Sequence, residues 1–533
     1  MEFRTRSATR AAQGMVASPH ALASQAGIDV LKDGGTAVDA AVATSGALSV
    51  LYPHMTGIGG DAFWLIHDAK TKQVRYLDGG GRAVAAGTIK TFAKRGLAEV
   101  PYKGVLPATL TVPGAVASWA MAHAAYGRLP LRRCLDSAIA LARDGFEVTE
   151  RLAHWRGMAR TDLAKSPEAA AIFLTDDPVL KNPDLARTLE SIASDGWYGF
   201  YDGEVAKELV RYSMANGGLF TADDLKAQLA RWDEPIKGTY RDVTIYETPA
   251  PTQGFTVLEM LNLIEPFEMQ RLPFLGPDYV HLMIQAKQLA YHDRDRWLGD
   301  PRFVDVPMAR LLSKDYASER RGLIDPARAL PWDKIPSYGS LTGDTVYIAV
   351  VDREGNAVSL VYSLYGSFGA AVVAGRTGVV LQNRASYFSL DPKSPNRLEP
   401  GKTPLHTLIA SLGYRNDKLW SVLGCMGADG QPQIHLQTYV AMIDHGQDIQ
   451  QAVQSPRFLS GRFGLLEARD TLHIESRFAP DTIAELERRG HLLDRWGPWN
   501  ESAGHANGIT IDPASSERVG GADPRSDGAA IGY

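Results

Sequence analysis

Residues 345–351, TVYIAVV, alternate between two faces that are both apolar: Val346, Ile348 and Val350 on one, Tyr347, Ala349 and Val351 on the other. Such a strand belongs in the middle of a layered fold, covered on each side. The turn residues Arg353-Glu354-Gly355-Asn356 and the run AVSLVYSLY follow, so this region is predicted to form a hairpin. Further strands are predicted at GVVLQN, TLIASLGYR and KLWSVLGCM, and a helix at HLQTYVAMIDHG. Upstream the period becomes helical. ALASQAGIDVLK stops at Gly34-Gly35, and Thr36 with Asp39 resembles a capping box that opens AVDAAVATSGALSVLYP. TGIGGDAFWLIHD is a glycine-rich loop running into an apolar strand, and VRYLDGGGRA a second strand ending in three glycines. The stretch from about 115 to 330 is predicted to be mostly helical, with WAMAHAAYG, RLPLRRCLDSAIALARDGF, GEVAKELVRYSMANGG and DYVHLMIQAKQLAYHDRDRWLG as its clearest segments. In the last of these, the cluster His292-Asp293-Arg294-Asp295-Arg296 predicts a solvated helix face with mutual ion pairs.

Composition adds bounds to this picture. The chain has 533 residues, 45% hydrophobic and 22% charged, which is ordinary for a globular protein with a sizeable core. A net charge of −5 gives no sign of a nucleic-acid or membrane-surface protein. Only two cysteines occur, Cys134 and Cys425, far apart and outside any metal-ligand spacing, so neither a disulfide framework nor a structural zinc site is expected. The basic N-terminal stretch is broken by Ser18, Pro19, His20, Ser24 and Gln25 before it reaches signal-peptide length, and no window approaches the ~20 apolar residues of a membrane span. A cytoplasmic protein is the expectation.

Chemical motifs are sparse. Neither glycine-rich loop has the P-loop or dinucleotide spacing, so close backbone packing is their expected role. No His-Glu-x-x-His or Gly-x-Ser-x-Gly appears, and His292 with Asp295 lacks a third metal ligand nearby. A triad assembled in space stays open. What remains is Thr345, at the start of a buried strand and directly after the linker-like PSYGSLTGD. Gly343 and Asp344 can be read simply as a turn ahead of a strand. Alternatively, cleavage before Thr345 would place a hydroxyl nucleophile and a free α-amine, with a reference pKa near 8, on one residue.

The chain as a whole resembles the γ-glutamyltransferase family of N-terminal-nucleophile hydrolases. The resemblance runs in order through MVASPHALASQAGIDVLKDGGTAVDAAVA, TGIGGDAF, PGAVASWA, ARDGF, YDGEVA, PAPTQGFTVLEMLNLIE, LAYHDRDRWLGDP, DTVYIAVVDREGNAVSLVYSLYGSFGAAVVAGRTGVVLQN and GCMGADGQPQ, nearly the full length. It implies an α/β fold, a four-layer αββα sandwich, made as a precursor that cuts itself between Asp344 and Thr345. The implied subunits, 1–344 and 345–533, pair with each other, and homo-oligomers of such pairs fit the pattern. No metal or organic cofactor is implied. Ser363 falls where the family keeps a second hydroxyl beside the nucleophile. Gly427 and Ala428 fall where paired glycines hold the tetrahedral oxyanion through backbone N–H groups.

Departures from the family pattern bear on substrate. Gly80 stands where the γ-glutamyl enzymes carry a carboxylate-gripping Arg, with Arg82 two residues on as a substitute cation. Tyr387 replaces the Asp that takes the α-amino group, Tyr365 replaces an Asn near the nucleophile, and His406 and Thr407 replace paired serines. A buried ammonium without a carboxylate is costly, so loss of that Asp argues for a substrate without an α-amino group. Arg82, Arg384 and His406 are expected to converge on an anionic group instead. The resulting expectation is an amidohydrolase for a small carboxylate-bearing amide such as oxamate, of the family's acylase and oxamate-amidohydrolase-like branch. A γ-glutamyl hydrolase or transpeptidase and a glutaryl or cephalosporin acylase are alternatives, and an uncleaved, non-catalytic binding homologue is an alternative of another class.

Overall fold

The computed structural model describes residues 5–104, 109–330, 343–461 and 471–533. The greater part of the linker-like PSYGSLTGD, up to residue 342, lies outside the described residues. Two seven-stranded antiparallel sheets face each other. One runs Ala529–Gly532, Met15–Ser18, Asp344–Val351, Ala357–Tyr365, Asp61–Asp68, Gln73–Gly79, Arg231–Asp233. The other runs Thr9–Ala11, Arg518–Ala522, Ala506–Ile511, Lys418–Cys425, Ala410–Arg415, Val243–Glu247, Ile236–Tyr240. Each sheet takes strands from both sides of residue 344, so the two segments are interleaved.

The doubly apolar strand lies third in its sheet with every residue from Asp344 to Val351 buried. Its Tyr347, Ala349 and Val351 face the other sheet, where Leu412, Val422 and Ile509 complete a thin inner core. Gly424 gives the Tyr347 ring its space, since a Cβ there would lie 2.2 Å from the ring. The Tyr347 hydroxyl reaches the Ser359 hydroxyl at 2.6 Å, and the Ser411 N–H of the opposite sheet donates to Ser359 at 3.1 Å. The other face, Val346, Ile348 and Val350, packs under the helices Ala21–Lys32 and Ala37–Leu51. Thr36 and Asp39 form the expected capping box on the second of these. A separate helical layer, including Phe255–Ile264, Pro277–Trp297 and Gln431–Ile443, covers the outer face of the second sheet. The order of layers is therefore helix, sheet, sheet, helix.

Two expectations need correction. GVVLQN does not form a ladder strand; Val380 and Leu381 make only isolated bridges to Val373 and Gly59, because the chain here runs as loop beside the hairpin 344–365. The helix Pro277–Trp297 does not turn His292–Arg296 uniformly to solvent: Asp293 and Arg294 are each 1% exposed. A helix packed on two sides buries residues that a one-sided amphipathic reading leaves in water.

Candidate active site

The hairpin Asp344–Val351/Ala357–Tyr365 breaks register at its open end: Asp344 pairs with Tyr365, but Val346 pairs with Tyr362. Ser363 and Leu364 together therefore oppose the single residue Thr345. A bulge of this kind re-aims a side chain, and here it turns the Ser363 hydroxyl toward Thr345. The Thr345 hydroxyl lies 2.7 Å from the Asp344 carbonyl oxygen and 3.1 Å from the Ser363 hydroxyl. Ser363 donates to that same carbonyl oxygen at 2.5 Å and accepts from the Tyr365 N–H at 2.8 Å. Tyr365 has φ +78°, a conformation that L residues rarely adopt.

The glycine-rich loop serves close packing. A Cβ on Gly60 would lie 2.1 Å from the Ser363 carbonyl oxygen, and this approach delivers Asp61 behind the hairpin, where it pairs with Ser363 in the sheet. Asp61 accepts from the Gly81 N–H at 2.8 Å and the Gln382 amide at 2.9 Å, and its second oxygen meets His406 Nε2 at 3.1 Å. Burial, with Arg384 adding to it, brings His406 down to about 4, so its imidazole is neutral at pH 7. His406 thus offers hydrogen bonding and no positive charge at that pH.

Arg384 is fully buried. Its guanidinium donates to Thr407 Oγ1 at 2.9 Å, reaches Ser363 Oγ at 3.5 Å, and lies over the Tyr365 ring at 4.5 Å and the Tyr387 ring at 5.7 Å. Its Nε has no hydrogen-bond partner among the described residues, and Asp61 acts on it only through space. Arg82 does not join this cluster. Its guanidinium turns to the Leu229 carbonyl at 3.3 Å and lines a separate open cavity with Asp224, Gln228 and Gly401. Gly80 to Arg82 lie beyond the end of strand Gln73–Gly79, so strand alternation does not set the direction of this side chain.

The turn 427–430 lies against the Asp344 side. Gly427 has φ +145° and Ala428 φ +46°, so Ala428 does occupy the left-handed region despite its Cβ. The Gly430 N–H closes the turn onto the Gly427 carbonyl at 2.7 Å. Gln253 and Asp429, which the motifs did not single out, hold it together with Arg294 and Tyr387. Gln253 donates from its amide to the Thr407 carbonyl at 2.9 Å and the Ala428 carbonyl at 3.1 Å. Arg294, from the cluster expected in solvent, donates to Gln253 Oε1 at 2.6 Å and to Asp429 Oδ1 at 2.7 Å. The Tyr387 hydroxyl donates to the same Asp429 oxygen at 3.3 Å. The only available signal was the pairing of an Arg-rich helix with an acid in ADGQ, which spacing alone does not reveal.

The sequence and structure comparisons agree with one another. The model of the family described as Gamma-glutamyltranspeptidase matches residues 23–533. The chain is 40% identical to a glutathione hydrolase-like YwrD proenzyme of Bacillus subtilis, covering 97% of this chain and 98% of that one. It is 37% identical to an oxamate amidohydrolase proenzyme of Klebsiella pneumoniae, covering 98% of each. A cephalosporin acylase structure from Bacillus halodurans superposes with a TM-score of 0.91 at 34% identity, covering 99% of this chain and 97% of that one.

Two outcomes follow from the geometry. Replacing Arg294 by Met strands the buried Asp429 and is expected to cost about 3–5 kcal/mol, while Arg294→Met/Asp429→Asn recovers part of that loss; urea unfolding of the three proteins checks it. For His406, burial brings the folded form down to about 4 from the usual 6.5, so the unfolded chain protonates first as pH falls. Its contribution, about 3 kcal/mol, is full above pH 6.5 and is lost between pH 6.5 and 4. A His406→Asn variant should show a shallower fall in unfolding free energy across that window than the wild type.

Proposed function

The chain belongs to the γ-glutamyltranspeptidase family of amide-bond hydrolases, and from that premise we propose that it cuts itself between Asp344 and Thr345 and then uses the freed threonine on a small amide carrying a carboxylate. The observation that carries this reading is the Asp344 carbonyl oxygen held by two hydroxyls, Thr345 at 2.7 Å and Ser363 at 2.5 Å. Those hydrogen bonds draw electron density from the carbonyl carbon. Thr345 Oγ1 adds to that carbon, the C–N bond breaks, and the hydroxyl proton goes to the departing nitrogen, which becomes the Thr345 α-amine. Water then hydrolyses the ester, leaving a carboxylate on Asp344 and a free hydroxyl on Thr345. In the second phase the α-amine takes the hydroxyl proton as Oγ1 attacks a substrate amide and returns it to the leaving amine. Water releases the acyl group as a carboxylic acid. In this reading the N–H groups of Gly427 and Ala428 receive the tetrahedral oxyanion.

Arg384 supports a carboxylate on the substrate. It is a buried cation within 3.5 Å of Ser363 that has no ion pair among the described residues, and a guanidinium suits a carboxylate in two-point contact. Among the described residues the acids beside it, Asp61 and Asp429, are already engaged, with Asp429 Oδ2 alone accepting no hydrogen bond. Asp429, which meets Tyr387 at 3.3 Å, is already neutralised by Arg294 at 2.7 Å. This disfavours a γ-glutamyl group and favours amides such as oxamate, which has a carboxylate and no α-amine.

Denaturing electrophoresis of wild-type protein should show two fragments, the smaller beginning at Thr345 by N-terminal sequencing, while Thr345→Ala stays as one chain. A wild-type chain that remains intact after prolonged incubation would overturn the nucleophile assignment. Ammonia release from oxamate should exceed p-nitroaniline release from γ-glutamyl-p-nitroanilide, and Arg384→Met should lower kcat/KM for oxamate by about 10- to 100-fold, the worth of a charge-assisted hydrogen bond. Robust use of the second substrate with none of the first sinks the oxamate-type assignment.

A further inference from the structure

The amide that Thr345 faces in the uncleaved chain has Asp344 as its acyl half, and Asp344 ends in a carboxyl group. Along that residue the carbonyl carbon is followed by Cα, Cβ and the carboxyl carbon, the same sequence of atoms as in succinamate. Asp344 and Lys103 line one cavity of about 210 Å³, walled also by Tyr102, Trp155, Met426 and Gly427. The Lys103 ammonium is fixed in the wall by the carbonyls of Ser367 and Gly369, the latter at 2.8 Å. Burial raises the Asp344 carboxyl to about 8 and lowers Lys103 to about 8, while the charge of each favours ionisation of the other. The remaining acid of the wall, Glu501, is committed to Arg151 at 2.5 Å and to the Trp155 N–H at 2.9 Å.

Gly343 and Asp344 fill the space over the turn. A Cβ on Gly343 would lie 2.9 Å from both the Ala428 Cβ and the Tyr365 ring. A substrate therefore reaches Thr345 only once these residues have withdrawn, and their withdrawal removes the Asp344 charge that acts on Lys103 through space, leaving Asp162 as the other acid whose charge reaches it. Otherwise the cavity is largely aromatic and apolar, so an extended acyl chain with a charged tip matches it, whereas oxamate leaves most of it empty.

We propose that this cavity is a subsite for the acyl half of the substrate, with Lys103 taking a carboxylate two carbons beyond the scissile carbonyl, and that half-amides of succinamate length are the preferred substrate class. Arg384, close to Ser363, meets a carboxylate adjacent to the carbonyl; Lys103 meets one further out. The inference rests on the amidohydrolase reading above.

Ammonia release by the cleaved enzyme from oxamate, malonamate, succinamate and glutaramate tests it. The value of kcat/KM should peak at succinamate, at least about tenfold above oxamate. Lys103→Met should lower the succinamate value at least about tenfold more than the oxamate value, and Lys103→Arg should retain the peak. An optimum at oxamate or glutaramate, or a Lys103→Met effect equal along the series, overturns the subsite and leaves the amidohydrolase reading standing. Self-cleaved enzyme that releases ammonia from none of the four refutes that reading and the subsite with it. Should Lys103→Met fail to fold, the position of the wild-type optimum decides alone.

Discussion

The carbonyl oxygen of Asp344 accepts from two hydroxyls in a place where Thr345 is only 1% exposed. In water such hydrogen bonds exchange with solvent and polarise little; in a buried site they are fixed and weakly screened. Holding both hydroxyls there requires the backbone to leave regular pairing. Ser363 and Leu364 share one partner, Tyr365 takes a positive φ, and Ala428 across the cavity does the same. Each such conformation costs on the order of 1–3 kcal/mol and persists only where the surroundings over-determine it. The surroundings here are the central position of the hairpin and the two packed faces of its strands, so the four-layer architecture is what sustains the local strain.

Charge in the same region is arranged unevenly, and the unevenness has chemical meaning. Asp429 is paired with Arg294, and Asp61 is bonded by the Gly81 N–H, Gln382 and His406. These acids therefore serve the scaffold: one ties down the turn at Ala428, the other the loop behind Ser363. Arg384 has hydroxyl and ring neighbours but, among the described residues, no carboxylate in contact. Buried cations are ordinarily paired. Both acids are thus engaged, with Asp429 Oδ2 alone accepting no hydrogen bond, while the cation beside Thr345 has no acid in contact among the described residues.

The hairpin was legible because alternation on two apolar faces is a local property, and the Thr36–Asp39 cap because its partners are three residues apart. The helices and most strands followed for the same reason. The bulge at Ser363 was not legible, since it depends on which residue of another strand stands opposite, and no spacing encodes that. Arg294 was misread as solvated because its partners, Gln253 and Asp429, are 41 and 135 residues away. Arg82 was expected at the site from its distance along the chain to Gly80, yet both residues lie beyond the end of strand Gln73–Gly79, where no strand alternation fixes side-chain direction. Resemblance placed Thr345, Ser363 and the 427–428 turn within one small volume. It could not say which of the cations shared that volume.

Interleaving of the sheets bears on what a cut before Thr345 can do. Strand Asp344–Val351 is bonded on one side to Met15–Ser18 and on the other to Ala357–Tyr365, which in turn pairs with Asp61–Asp68. Severing one peptide bond at the strand's first residue removes none of the register pairs from Val346 onward. The inner core of Tyr347, Ala349 and Val351 stays covered by residues from both fragments. Freedom is gained only by the end that includes Gly343 and Asp344, the residues that block the turn. A cut placed several residues later would release a buried strand and expose apolar surface at about 25 cal/mol per Å². The bond before Thr345 is thus the point in this hairpin where the chain can open the site and keep the fold.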